Sequence, residues 1–240
     1  VGRRFEELDW RPTAMGDLVL RRRWDPVAGA DVHEIKLGDD FLMSSMFTAG
    51  EVEMARLALA GSGGGPLDVA VGGLGLGFTA QAALEHTAVS SLVVVEAMPE
   101  VIDWHERGLI PAGADLAADP RCRFVHGDFF ALADSASGLD PDGEARRFHA
   151  ILVDIDHSPR HLLDAGHAGF YEADGLRRLA RFLHPGGIFA LWSDDPPDPE
   201  FSAVLGEVFA DARAETVTVP NPLQDRDAAN TVYLATAPAA

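Results

Sequence analysis

Leu67-Asp68-Val69-Ala70-Val71-Gly72-Gly73-Leu74-Gly75-Leu76-Gly77-Phe78 decides the fold. The run from Leu67 to Val71 is apolar and of strand length, and Thr79–His86 has helical spacing. Between them stand Gly72, Gly73, Gly75 and Gly77. Glycine lets a backbone turn sharply and approach a ligand closely, and a helix N-terminus adds unpaired N–H groups. Alone, such a stretch reads equally well as a tight strand-to-helix turn with no ligand. Its surroundings have to decide.

Downstream, strands and helices alternate. Ser91–Glu96 is a second apolar strand, followed by a helix over Pro99–Leu109. Arg123–His126 and Ala150–Asp154 are the third and fourth strands. A helix over Gly175–Leu183 leads through Pro185-Gly186-Gly187 into a fifth strand, Ile188–Trp192. The helix Pro199–Phe209 precedes two strands, Ala214–Val219 and Thr231–Ala235. Near-continuous apolar strands alternating with helices imply a parallel sheet covered on both faces. The final two strands have only the loop Pro220–Ala229 between them and should pair antiparallel. Upstream, Asp17–Trp24 and Val32–Leu37 read as a hairpin, and Gly50–Leu59 as a helix that ends in the break Gly61–Pro66.

Acidic residues stand at the strand ends. Glu96 closes the second strand at about the 20-residue distance where a nucleotide site places its ribose-binding acid. Asp128 follows the third strand, where a carboxylate can accept an adenine amino hydrogen. Each alone also reads as a solvated acid. Three features in order, each at the carboxyl end of a strand, point to a ligand at the switch point of the sheet. An adenosyl ligand fits better than a dinucleotide, because the loop read from Gly73 breaks G-x-G-x-x-G at Phe78.

The fourth strand ends Asp154-Ile155-Asp156-His157-Ser158-Pro159. A carboxylate here can orient a protonated amine and accept its proton before the nitrogen attacks a sulfonium carbon. Asp154 and Asp156 are the candidate catalytic residues, with Asp154 the better base because it ends the strand. Asp156 or Ser158 reads equally as the cap of a following helix with Pro159 in its first turn. His157, Tyr171 and Trp192 are candidate substrate contacts, though Trp192 reads equally as core. His157 and His161 have the i, i+4 spacing a metal can use, but no Glu lies between them and the segment is broken by Pro and Gly. No metal is expected.

The 240 residues carry a formal net charge of −19. That argues against a nucleic-acid substrate, which calls for a basic face. The dense basic run Arg21-Arg22-Arg23 reads as a solvated edge. No apolar stretch has the length of a membrane helix. Val1–Glu7 lacks the apolar core of a secretory signal, and Cys122 has no cysteine to pair with. A cytoplasmic protein is expected.

From about Leu37 to Ala235 the chain resembles the spermidine synthase-like (polyamine aminopropyltransferase) branch of the class I S-adenosylmethionine-dependent methyltransferase superfamily. Val71–Phe78 stands at that family's glycine motif, Val93–Glu96 at its ribose-binding strand, Gly127-Asp128 at its adenine-binding pair, Ile151–Asp154 at its catalytic strand, and Leu183–Gly187 at its pre-strand turn. The resemblance implies an α/β, Rossmann-like class I methyltransferase fold: a mostly parallel seven-stranded sheet, last strand antiparallel, with a small N-terminal β-hairpin region. Residues 1–48 would be the β-strand region and 49–240 the S-adenosyl-ligand-binding catalytic domain.

The same resemblance implies S-adenosylmethionine or decarboxylated S-adenosylmethionine as donor, a small acceptor, and a homodimer. The chain departs from the family at Gly75, where an aspartate holds the aminopropyl amine, and at His157, where a second aspartate grips the diamine. The family's diamine-binding glutamine and tyrosine are replaced by Ser45 and Met54. The expected function is alkylation of a small, amine-type acceptor. The alternatives are small-molecule methyl transfer without polyamine activity, and nucleotide binding without catalysis.

Overall fold

The computed structural model describes residues 5–61, 65–141, 146–221 and 226–239. The centre of the glycine-rich break at 62–64, and residues 222–225 of the expected final loop, lie outside the described residues.

The N-terminal region is a four-stranded antiparallel sheet, larger than the two-stranded hairpin that the apolar pattern predicts. Its strands are β1 (Phe5–Thr13), β2 (Gly16–Asp25), β3 (Ala30–Leu37) and β4 (Asp40–Ser44), paired in that order. β1 leaves no apolar pattern because its residues are mostly polar and it buries no apolar row. β2 and β3 supply the buried face through Leu18, Leu20, Val32 and Ile35. The arginine run is not an edge. β2 is paired on both sides, and Arg21 and Arg23 each donate to the buried Glu34, at 2.6 and 2.8 Å. Arg22 reaches Glu6 at 2.6 Å. Two guanidiniums on one buried carboxylate offset the cost of taking it out of water.

α1 (Ala49–Leu59) links this sheet to the second and buries Met54, Ala55, Ala58 and Leu59. The second sheet has the order β10-β11-β9-β8-β5-β6-β7. Its strands are β5 (Leu67–Gly72), β6 (Val89–Glu96), β7 (Cys122–His126), β8 (Phe148–Val153), β9 (Leu183–Ser193), β10 (Asp211–Asn221) and β11 (Arg226–Thr236). β11 runs antiparallel to both of its neighbours, and the pairs among β5–β9 are parallel. This is the parallel sheet expected from the alternation of elements, in the Rossmann-like arrangement that the family resemblance implies.

Apolar side chains fill both faces of the sheet. One layer holds α1, α2 (Phe78–Glu85), α3 (Pro99–Glu106) and α4 (Gly113–Ala118). The other holds α5 (Phe129–Asp134), α6 (Ala173–Ala180) and α7 (Pro199–Val208). α4, α5 and a 3-10 helix over Ala165–Phe170 have six residues each, too short for a helical period to show in sequence. The Pro185–Gly187 turn lies inside β9, which already pairs with Phe148 at Leu183 and shifts register before Ile188. The final strands extend to Asn221 and from Arg226, so the connection between them is shorter than Pro220–Ala229.

Among the described residues no helix is long and apolar enough to cross a membrane. β5 has β6 on one side and β8 on the other, so the chain reverses its direction of travel across the sheet there. Crevices form at such a switch point because the two connections leave toward opposite faces.

Candidate active site

A cavity of about 680 Å³ opens at the carboxyl ends of β5, β6 and β8. Gly73, Gly75, Glu96, Asp128, Asp154, His157 and Trp192 all line it. These residues belong to separate strand ends in the sequence, and the parallel sheet gathers them.

The glycine loop is fixed by close backbone packing. Gly73 has φ 92°, and a Cβ there would collide with the Asp154 carbonyl oxygen. Only glycine lets the loop lie this near the end of β8. Gly75 has φ 47°, and the Met43 sulfur occupies the space its side chain would take. Met43 Sδ also accepts the Leu76 N–H at 2.9 Å. Gly72 and Gly77 shape the loop from behind and do not line the cavity. Gly72 faces the Phe129 ring, and Gly77 faces Leu116 and His105.

His105 carries no signal in the sequence. It is fully buried, and its Nε2 donates to the Gly75 carbonyl at 2.9 Å. Its Nδ1 is buried with no partner among the described residues. Burial holds the imidazole below its ordinary pKa, and the Gly75 bond opposes this. The ring is a neutral clamp on the loop. No motif announces it, since a histidine inside a helix pattern gives no sign of a contact 30 residues away.

Glu96 is bonded to the loop it faces. Its Oε2 accepts the Leu74 N–H at 3.0 Å and its Oε1 accepts the Met98 N–H at 2.8 Å. Burial raises its pKa against the pull of these backbone donors. The carboxylate therefore braces the loop as well as facing the cavity. Asp128 is the N-cap of α5, where one oxygen, Oδ1, accepts from Phe130 N at 2.9 Å and Ala131 N at 3.3 Å. The cap leaves Oδ2 free of partners among the described residues, on a side chain that borders the cavity.

Asp154 and Asp156 go different ways. Asp154 lines the cavity and accepts the Thr79 hydroxyl at 2.7 Å. Burial pushes its carboxyl up to about 6, with the Thr79 bond acting the other way. Asp156, expected as a second catalytic residue, does not line the cavity. Its carboxylate is buried away from the cavity wall and accepts from Leu163 N at 2.7 Å, from His167 at 2.9 Å and from Tyr171 Oη at 2.7 Å. It orders the turns after β8 and has no oxygen left for a substrate. Tyr171 falls with it: it is buried, bonded to Asp156 and not on the cavity wall.

His157 and Trp192 remain on the wall. The Trp192 indole nitrogen is buried without a partner among the described residues, and a Cβ at Gly50 would lie 2.5 Å from it. The three neighbouring histidines differ: His157 and His167 both line the cavity, His167 also bonds Asp156, and His161 lies off the wall and bonds Asp195 at 2.8 Å. Ser158 also donates to Asp195, at 2.5 Å. The serine hydroxyl also lies 3.4 Å from His161 Nδ1, so Ser158, His161 and Asp195 form one cluster, and none of the three lines the cavity. Ser45 and Met54 do not reach the cavity wall: Ser45 Oγ accepts the His33 N–H at 3.0 Å and Met54 is core.

Glu51 is the other residue the sequence conceals. It lies in the first turn of α1, is 6% exposed and lines the same cavity. Its Oε2 has no partner among the described residues. Burial, reinforced by the charges of Asp154 and Asp194, pushes its carboxyl up to about 8. In sequence, an acid in a first helical turn reads as a favourable partner of the helix dipole.

No family model and no curated protein matches this sequence. Solved structures do. A spermidine synthase in complex with the transition-state analogue AdoDATO superposes with a TM-score of 0.71 at 16% identity, over 96% of this chain and 73% of its own. Spermidine synthase from Thermotoga maritima gives 0.70 at 16%, over 96% and 72%. The chain has the spermidine synthase-like fold.

Proposed function

We propose that this chain is a transferase that alkylates a small amine acceptor from an S-adenosyl sulfonium donor, S-adenosylmethionine or its decarboxylated form. The observation that carries this reading is one cavity wall shared by the glycine loop, Glu96, Asp128 and Asp154. The likeness in fold to spermidine synthases supports it.

The wall fits an adenosyl group. Gly73 and Gly75 bring bare backbone to the ligand, Glu96 stands at the end of β6 for ribose hydroxyls, and Asp128 Oδ2 is available for an exocyclic amino group. The donor supplies a carbon made electrophilic by the attached sulfonium. The chain supplies position and a base. Asp154, held in one orientation by Thr79, faces the cavity where β8 ends. An ammonium acceptor loses a proton to a carboxylate of the cavity wall, its freed lone pair bonds to the carbon, and the C–S electron pair stays on sulfur as a neutral thioether. Positioning of this kind contributes through proximity, and the base through proton removal.

Methyl transfer is the second reading, and Gly75 favours it. The Met43 thioether stands where the resembled family directs a carboxylate at an aminopropyl ammonium. Calorimetry with S-adenosylmethionine, its decarboxylated form and methylthioadenosine tests the donor. Mass spectrometry then tests the group moved, because methylthioadenosine as product marks aminopropyl transfer and S-adenosylhomocysteine marks methyl transfer. Failure of all three nucleosides to bind would overturn the reading. Tight binding with no turnover on an amine panel would leave a binding protein.

A further inference from the structure

α1 brings to the cavity a carboxyl that the steps above leave unused. Glu51 is nearly fully buried, and Oε2 is an acceptor with no donor among the described residues. Such an atom is costly unless a ligand satisfies it or a proton sits on it. The charged groups that act on it are Asp154, from the end of β8, and Asp194, just after β9. Both are acidic, and Asp194 is itself held by Asn230 Nδ2 at 3.0 Å. No arginine, lysine or histidine bonds to Glu51 among the described residues. An acid on a cavity wall, neighboured by acids and with one buried oxygen unbonded among the described residues, is built to meet a cation.

We propose that Glu51 is the acceptor-binding carboxyl of this cavity and that it, rather than Asp154 alone, takes the proton an ammonium acceptor gives up before transfer. The inference rests on the amine-alkylating function proposed above. Burial raises both carboxyls; Asp154 has the Thr79 hydroxyl to favour its ionised form, whereas Glu51 also faces the charges of Asp154 and Asp194, which favour its protonated form. Glu51 therefore keeps its proton to higher pH than an ordinary carboxyl. A bound ammonium favours the ionised form and drives that proton to solvent. The N–H bond then breaks toward Glu51. Its electron pair stays on nitrogen and forms the new bond to carbon, while the C–S pair stays on sulfur. The proton on Glu51 returns to solvent as the alkylated ammonium leaves.

Linkage gives the test. A cation that favours ionised Glu51 must bind more tightly when Glu51 is already ionised, by the same factor. Butylamine serves as the probe, since an alkylamine, with a pKa close to that of lysine at about 10.4, stays protonated to pH 9. Calorimetric titrations run from pH 6.5 to 9, with and without saturating methylthioadenosine, on wild type and Glu51→Gln. Glutamine copies the shape of the protonated acid and cannot ionise. A neighbouring cation that weakens proton binding to Glu51 by about tenfold should raise wild-type affinity by about tenfold across this range. The rise should shrink to less than about twofold in Glu51→Gln. An equal rise in both proteins, a flat wild-type profile, or no butylamine binding at any pH would overturn the assignment. Failure to bind methylthioadenosine strikes the transferase reading instead, because the titration without it still reports on Glu51.

Discussion

Thr79 Oγ1 donates a 2.7 Å hydrogen bond to Asp154 Oδ2, tying the first turn of α2 to the residue that follows β8. The glycine loop and the candidate base are thereby one mechanical unit. The bond favours the ionised carboxylate against burial. Thr79→Val removes the donor and keeps the shape, so Asp154 should hold its proton to higher pH. The acid limb of the kcat/KM profile should move upward, with nucleoside affinity unchanged. A profile identical to wild type would break the link between Thr79 and the base.

Asp154→Asn should fold and bind methylthioadenosine normally. Turnover should fall in kcat by about 10²–10⁴-fold, the usual worth of a positioned proton acceptor. A small loss confined to KM would instead mean that proximity carries the transfer.

Asp128→Asn retains a side-chain oxygen for the α5 cap and loses the charge. Methylthioadenosine affinity should drop by about 1.5–3 kcal/mol, the value of a charge-assisted hydrogen bond. Glu96→Gln should cost at least as much, because glutamine has one acceptor oxygen for the Leu74 and Met98 N–H groups that now use two. Calorimetry that showed wild-type affinity in both variants would remove these residues from the site.

Two buried groups should give stability opposite pH trends. His105 has a lowered pKa, so its contribution is present above about 6.5, the ordinary histidine value, and is lost as pH falls through its folded value. His105→Gln keeps a donor for the Gly75 carbonyl and should flatten this acid-side loss. Glu51 has a raised pKa, so its contribution is full below 4.5 and is lost as pH rises through about 8. Glu51→Gln should flatten that alkaline-side loss. Thermal unfolding from about pH 5 to pH 9 checks both. Unchanged pH slopes in the variants would show that other groups set them.

The exposed large apolar side chains among the described residues are Phe5, Trp10, Met15, Trp24, Val27 and Phe41, all in the N-terminal sheet and its turns. Large apolar side chains left exposed on one small sheet are the material from which an interaction surface is made. We propose a homodimer that covers it. Light scattering should give twice the chain mass at micromolar concentration, and Trp10→Glu together with Trp24→Glu should give a monomer. A wild-type monomer would refute the assembly.

The local pattern alone determined the order of strands and helices, the parallel sheet with an antiparallel last strand, and the carboxyl-end placement of Gly73, Glu96, Asp128 and Asp154. Period-2 and continuous apolar runs report burial directly, and a glycine-rich turn between strand and helix has few other uses. The polar strand β1 and the six-residue helices α4 and α5 stayed hidden because each is held by pairing or packing rather than by a periodic apolar face. Side-chain direction was decided only by the tertiary structure. Asp154 and Asp156 are two residues apart, yet one faces the cavity and the other is consumed by Leu163, His167 and Tyr171. Glu51 and His105 act on residues far away in the chain, Asp154 and the Gly75 carbonyl. Burial and a neighbour's charge set their protonation, and both arise only when separate elements pack together.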